Sequence, residues 1–177
     1  MIPAMIDGED IQETQASALC QACGLCCTGH LFIWAKLKYS ELDPAEALGM
    51  HVFRSVPQER GFSQPCPLWK GVCTIYSSKH YPHACRAYQC KVLKDFSSEN
   101  LSFSQAMDVI EQAKKQITEM ESILPDAPFS NFRERVVDLL EHPERYEHEK
   151  SYPELRAKAE SLLSLFEQDF GVNDFFA

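Results

Sequence analysis

All eight cysteines of the chain lie between positions 20 and 90, and four of them are packed into one octet, Cys20 to Cys27, reading CQACGLCC. No other feature restricts folding so tightly. A C-x-x-C step brings two sulfurs to one side of a tight turn, where backbone N–H groups are free to donate to them. Gly24 frees the backbone where that turn is sharpest. The other thiols come in two pairs, Cys66 and Cys73 within CPLWKGVCTIY and Cys85 and Cys90 within CRAYQC. An even count also fits a disulfide scaffold. Clustering and a length of 177 residues weigh against one.

Cys20, Cys23 and Cys26 follow the spacing that opens a ferredoxin-type cluster loop, and paired steps of this kind also suit a tetrahedral zinc site. Either centre takes about four thiolates, so eight cysteines exceed one site. Cys26 and Cys27 are adjacent, and their side chains leave the backbone in different directions. They either feed two sites, or one is a ligand and the other is spare, packed or reactive. Gly71 before Cys73 predicts a short hairpin with both of its sulfurs facing one way. Cys85 and Cys90 are expected about a turn and a half apart on a helix. Arg86, Lys91 and Lys94 beside them would offset thiolate charge and lower thiol pKa values. His30 and His83 lie within reach of a ligand role, although packing or hydrogen bonding is the plainer expectation for both.

Charge and patterning exclude other classes. A net charge of −9 and a pI near 5.1 provide no footprint for nucleic acid. No stretch approaches the roughly 18 apolar residues of a membrane span. The opening MIPAMIDGEDIQETQ has no basic region and turns acidic early, unlike a signal peptide. A cytoplasmic protein with reduced thiols is therefore expected. There is no GxGxxG, P-loop or HExxH pattern. Seven glycines without βα alternation do not accommodate a Rossmann core.

The cysteines divide the chain. Residues 18–95 form a cysteine-rich metal-binding region, and residues 97–177 a helical scaffold or interaction region, with DFSSENLS as the boundary. In the first part, HLFIWAKLKY and HVFRSV read as short strands and QERGFSQPCP as loop. SELDPAEALGM reads as a helix with Asp43 as N-cap, Glu46 closing a capping box and Gly49 ending it. In the second, Phe103, Ala106, Ile110, Ala113, Ile117, Met120 and Leu124 alternate steps of three and four, a helical seam that Pro125 stops. A second helix is expected over Asn131 to Glu141. A third follows Ser151, with Pro153 in its first turn and Glu154 closing a capping box. The fold expected is α+β and predominantly α: a small metal-stabilised region of short strands and turns, packed on a helical hairpin or three-helix bundle.

CQACGLCC, CPLWKGVCTIY and HYPHACRAYQC, in that order, resemble the YkgJ-type cysteine-cluster proteins, a zinc- or iron-chelating CxxCxxCC family. Cys20, Cys23, Gly24, Cys26 and Cys27 match its first element. Cys66, Pro67, Leu68, Cys73, Ile75 and Tyr76 match the second, and Pro82, Cys85, Arg86 and Cys90 the third. The resemblance covers roughly residues 18–95. Tyr81 departs from it, because the family often has Arg before that proline. The resemblance implies metal binding through Cys20, Cys23, Cys26, Cys27, Cys66, Cys73, Cys85 and Cys90, with an iron–sulfur cluster or zinc as cofactor. It implies no settled reaction, and no catalytic residue is assigned.

Three functions follow. The first is an iron–sulfur protein with a redox or maturation role. The second is a structural zinc module whose helical region contacts a protein partner. The third is a metal-dependent protein-modifying enzyme, lysine methylase-like, since the flagellin lysine methylases carry a similar cysteine cluster. Metal ions are the expected partners, with neither nucleic acid nor membrane, and the oligomeric state is left open.

Overall fold

The seam that begins at Phe103 folds as a 19-residue helix with one apolar face. Its residues Ala106, Ile110, Ala113, Ile117 and Met120 are all buried. Ser102 caps it by accepting the Gln105 N–H, and the Gln105 side chain returns the bond to the Ser102 N–H. The protein is described from a computed structural model, which covers residues 8–55, 59–125 and 131–172, with side chains from residue 15 onward. In chain order its helices are α1 (Gly8–Cys23), α2 (Leu42–Ala47), α3 (His83–Ala87), α4 (Lys91–Ser97), α5 (Phe103–Glu121), α6 (Phe132–Glu141) and α7 (Tyr152–Phe170). Three short strands, β1 (Trp34–Lys36), β2 (Val52–Phe53) and β3 (Gly61–Ser63), form an antiparallel sheet in the order β1-β3-β2. The fold is thus α+β and predominantly helical.

Two cores divide the packing. In the larger, α5 packs on α1, α4 and α7, and α6 packs on α7. Leu19, Leu25 and Leu31 from around the cysteine octet join Ile110, Leu162 and Phe166 there. Side chains this fully buried contribute about 1.5–3 kcal/mol each. The smaller core gathers Leu37, Leu42, Ala45, Met50 and Phe62 under the sheet, with Cys66 and Cys85 against it. Asn131 ties the base of α6 to the loops beside the sheet. Its Oδ1 accepts the Arg133 N–H at 2.8 Å, and its Nδ2 donates to the Gln64 carbonyl at 3.3 Å.

Several local expectations are corrected. Residues 8–23 are helical, so Cys20 and Cys23 sit on the last turns of α1 and not on a loop. The stretch read as loop contains β3, the central strand. It hides from propensity because it begins with Gly61, and that glycine is a packing requirement: a Cβ there would lie 2.3 Å from the Ala35 carbonyl oxygen. Asp43 does not cap α2. The helix starts at Leu42, and Asp43 and Glu46 instead both receive the Arg54 guanidinium at 2.8 Å. Glu154 forms no capping box, because the Ser151 side chain makes no cap bond. Cys85 and Cys90 do not share a helix. The chain straightens at Tyr88, and Cys90 becomes the N-cap residue of α4.

Gly61→Ala is expected to lower stability by about 1–3 kcal/mol through overpacking against β1, read as a reduced urea midpoint at unchanged slope.

Candidate metal centre

The octet straddles the end of α1. Gly24 accepts the left-handed conformation, φ +69°, and its N–H still donates to the Cys20 carbonyl at 3.3 Å. The Trp69 ring is packed on this glycine so closely that a Cβ would lie 2.1 Å from it. Trp69 belongs to the expected hairpin. It bridges Cys73 in antiparallel fashion around Gly71, and Thr74 N–H donates to the Leu68 carbonyl at 3.2 Å. A 2.7 Å bond from the Cys66 N–H to the Cys27 carbonyl fastens the hairpin to the octet.

All eight cysteines are free thiols, and Cys20 is the exposed one among them. Cys20, Cys23, Cys26, Cys27 and Cys90 line one apolar cavity together with Gly24 and Tyr88. The strongest influences among the sulfurs fall into two groups that overlap at Cys20 and Cys27. Burial raises the Cys26 thiol well above its usual range, and Cys23 and Cys90 then add most. Burial likewise raises Cys23 to about 12, with Cys90 and Cys20 adding to it. Cys27 is also raised by burial, but its sulfur neighbours are first Cys66, then Cys85 and Cys73. Cys85 reaches about 12 through burial, then Cys66 and Cys73. Packing runs the same way: Cys23, Cys26 and Cys90 lie against the large core, Cys66 and Cys85 against the small one, and the Cys27 carbonyl accepts the Cys66 N–H. Cys27 also acts on Cys26, and Cys20 on Cys27, so the groups adjoin. Cys90 acts most strongly on Cys20, with Cys73 next.

Backbone N–H groups act on several of these thiols. That of Leu25 lowers Cys23, those of Leu68 and Trp69 lower Cys66, and those of Leu93 and Val92, at the start of α4, lower Cys90. The Trp69 N–H itself donates to the Cys66 carbonyl at 3.1 Å. Such dipoles favour the thiolate and oppose burial. This soft donor set fits zinc or iron bound by sulfur. Among the described residues no three metal-binding side chains are closed around one point, so binding would require the thiols to turn inward.

The CxxCxxCC family model, described as a "putative zinc- or iron-chelating domain", matches residues 19–121, more than half of the chain. The chain belongs to this family. No curated protein and no solved structure matches it. Among the described residues, no helix is long and apolar enough to cross a membrane.

The CxxCxxCC match extends past the cysteines into α5, and α5 touches the thiols. Lys114 donates to the Ala22 carbonyl at 2.8 Å and draws the Cys23 pKa down against its burial. Nothing in the sequence marks Lys114, which reads as one more charge on an amphipathic helix. Of the cations beside Cys90, Lys94 acts on that thiol, Lys91 pairs with Asp95 at 2.8 Å, and Arg86 lies over the Tyr81 ring. Tyr81, the departure from the family pattern, stands among Cys85, Cys20 and Cys73. Its hydroxyl donates to the Cys85 carbonyl at 3.2 Å. His30 has both ring nitrogens engaged, with Thr28 at 2.6 Å and Glu121 at 3.2 Å. The His83 N–H donates to Glu41.

Burial keeps the Cys23 and Cys85 thiols protonated in the metal-free fold. Their folded pKa values lie above the ordinary 9.0, so the unfolded chain ionises first as pH rises. The chelator-treated protein should hold its stability up to about that pH. It should then lose stability progressively toward about 12, the folded values of Cys23 and Cys85. Denaturation midpoints across this range check it.

Gly24→Ala should displace Trp69 and strip the hairpin from the octet, seen as reduced metal uptake together with altered tryptophan fluorescence.

Proposed function

We propose that this chain is a metal-binding protein holding two thiolate centres. Cys20, Cys23, Cys26 and Cys90 form the first, and Cys27, Cys66, Cys73 and Cys85 the second. The observation that carries this reading is the packing of the thiols, with Cys23, Cys26 and Cys90 against the large core, Cys66 and Cys85 against the small one, and the Cys27 carbonyl joined to the Cys66 N–H. It resolves the ligand arithmetic, since eight cysteines divide into two sets of the size either metal takes.

The first set has three sulfurs from one C-x-x-C-x-x-C run and a fourth from a distant segment, the distribution used by cubane iron–sulfur clusters. An iron–sulfur centre with a redox or maturation role is the reading favoured here. When bound, the group would supply one-electron chemistry. The protein's part is to exclude water from it through Leu19, Leu31 and Ile110, and to favour the thiolates with N–H dipoles and the Lys114 charge. The second set favours zinc at that position. Cys66 and Cys73 flank a tight hairpin whose N–H groups lower the Cys66 thiol, the local form of a zinc knuckle. The helices of residues 97–177 serve as scaffold, and their outer faces are available to a protein partner.

Metal and acid-labile sulfide stoichiometry on anaerobically purified protein tests the metal assignment. Iron with sulfide supports the first centre as a cluster, and zinc without sulfide replaces that reading by a purely structural one.

The division into sets is tested separately by cadmium-113 NMR of metal-exchanged protein. Two signals are expected. Cys26→Ser and Cys90→Ser should perturb one, and Cys27→Ser and Cys66→Ser the other. All four variants acting on one signal would overturn the division.

A further inference from the structure

A second cavity, of about 250 Å³, opens beside the thiols between α1 and α3. Three tyrosines, Tyr76, Tyr81 and Tyr88, supply its rings, and Arg86 and Gln89 are among its polar lining. Two of the rings are held in place. Tyr76 donates to the Ser17 hydroxyl at 3.0 Å, Tyr81 to the Cys85 carbonyl at 3.2 Å, and their centroids are 5.2 Å apart. The Arg86 guanidinium lies 5.2 Å from the Tyr81 ring centroid, which orients it without neutralising it. Among the described residues no carboxylate pairs with Arg86, and neither the Gln89 amide nor the Tyr88 hydroxyl has a hydrogen-bond partner. Among the described residues no Asp or Glu lines the cavity, although the chain carries a net charge of −9.

The chemistry of that lining is selective. A guanidinium fork, an amide and a phenol hydroxyl present donors with no acceptor among the described residues, and a guanidinium pairs best with a planar oxyanion. The described lining holds one cation and no lysine, which suits a monoanion better than a phosphate dianion. The aromatic walls favour a flat apolar body. The volume lies just below the roughly 300–1,000 Å³ of sites for larger ligands, enough for a single-ring molecule but small for a nucleotide. We propose that this cleft binds a small aromatic carboxylate, with its carboxylate on Arg86 and its ring among Tyr76, Tyr81 and Tyr88. Cys20 and Cys85, one from each thiol group, line the same cavity. A molecule bound there would therefore touch the edge of both proposed centres, although the site itself is independent of which metal they hold.

Benzoate is the probe, with benzamide as its neutral counterpart. Both are titrated by saturation-transfer NMR against the full-length protein as isolated, with metal content measured on each sample. Benzoate is expected to saturate, and benzamide to bind at least about tenfold more weakly, the scale of a charged hydrogen bond. Arg86→Gln should lose that preference, Arg86→Lys should keep part of it, and Lys79→Gln, outside the cavity, should leave it intact. Absence of saturable benzoate binding, equal binding of benzamide, or an undiminished preference in Arg86→Gln would each overturn the proposal. Because metal content is read separately, a failure here is distinguishable from a failure of the metal assignment.

Discussion

Most of the centre's geometry depends on one contact, the indole of Trp69 on the backbone of Gly24. Only glycine tolerates both the left-handed turn and the ring at that distance. The turn ends α1 and sends the chain back past its own last residues, so Cys26 stays on the helix side while Cys27 faces the hairpin. The ring brings Cys66 and Cys73 to the second of these faces. Without the contact, the doubled cysteine would still point two ways, but only one direction would meet further thiols.

The second constraint is electrostatic. Thiols buried this deeply favour the neutral form, because desolvation outweighs the N–H dipoles that act on them. A bound cation reverses that balance by stabilising the thiolates, so metal affinity and proton release are linked. The protein partly prepares the reversal. Lys114 and Lys94 bring charge near Cys23 and Cys90, and the backbone at the start of α4 lowers the Cys90 thiol against its burial. Tyr88 lines the first cavity beside Cys23, Cys26 and Cys90, and Tyr81 lines the second beside Cys20 and Cys85, adding aromatic surface without charge.

Legibility followed the range of the interactions. The α5 seam, the α6 helix and the Gly71 hairpin are local patterns that formed where periodicity or turn chemistry placed them, except that Asn131, expected inside α6, caps it from outside. The helix carrying Cys20 and Cys23 was hidden because a dense C-x-x-C run reads as a turn. β3 was hidden because its glycine is there for the neighbouring strand. Asp43 and Glu46 look like a capping box in one dimension, but Arg54, several residues away, takes both carboxylates. Lys114 carried no signal, since its role depends on α5 lying across the end of α1.

By itself the sequence determined the donor chemistry, the family, the helical character of the second half, and the conflict posed by Cys26 and Cys27. Those are properties of residue type and spacing. Only the tertiary structure decided which thiols are neighbours, because Cys90, Cys66, Cys73 and Cys85 reach the octet through long-range packing. The same packing made the cysteine octet and the α5 helix share one core, as Leu19, Leu25 and Leu31 are buried against Ile110 and its neighbours. Spacing along a chain cannot encode that choice. It is set by which apolar faces must be removed from water together.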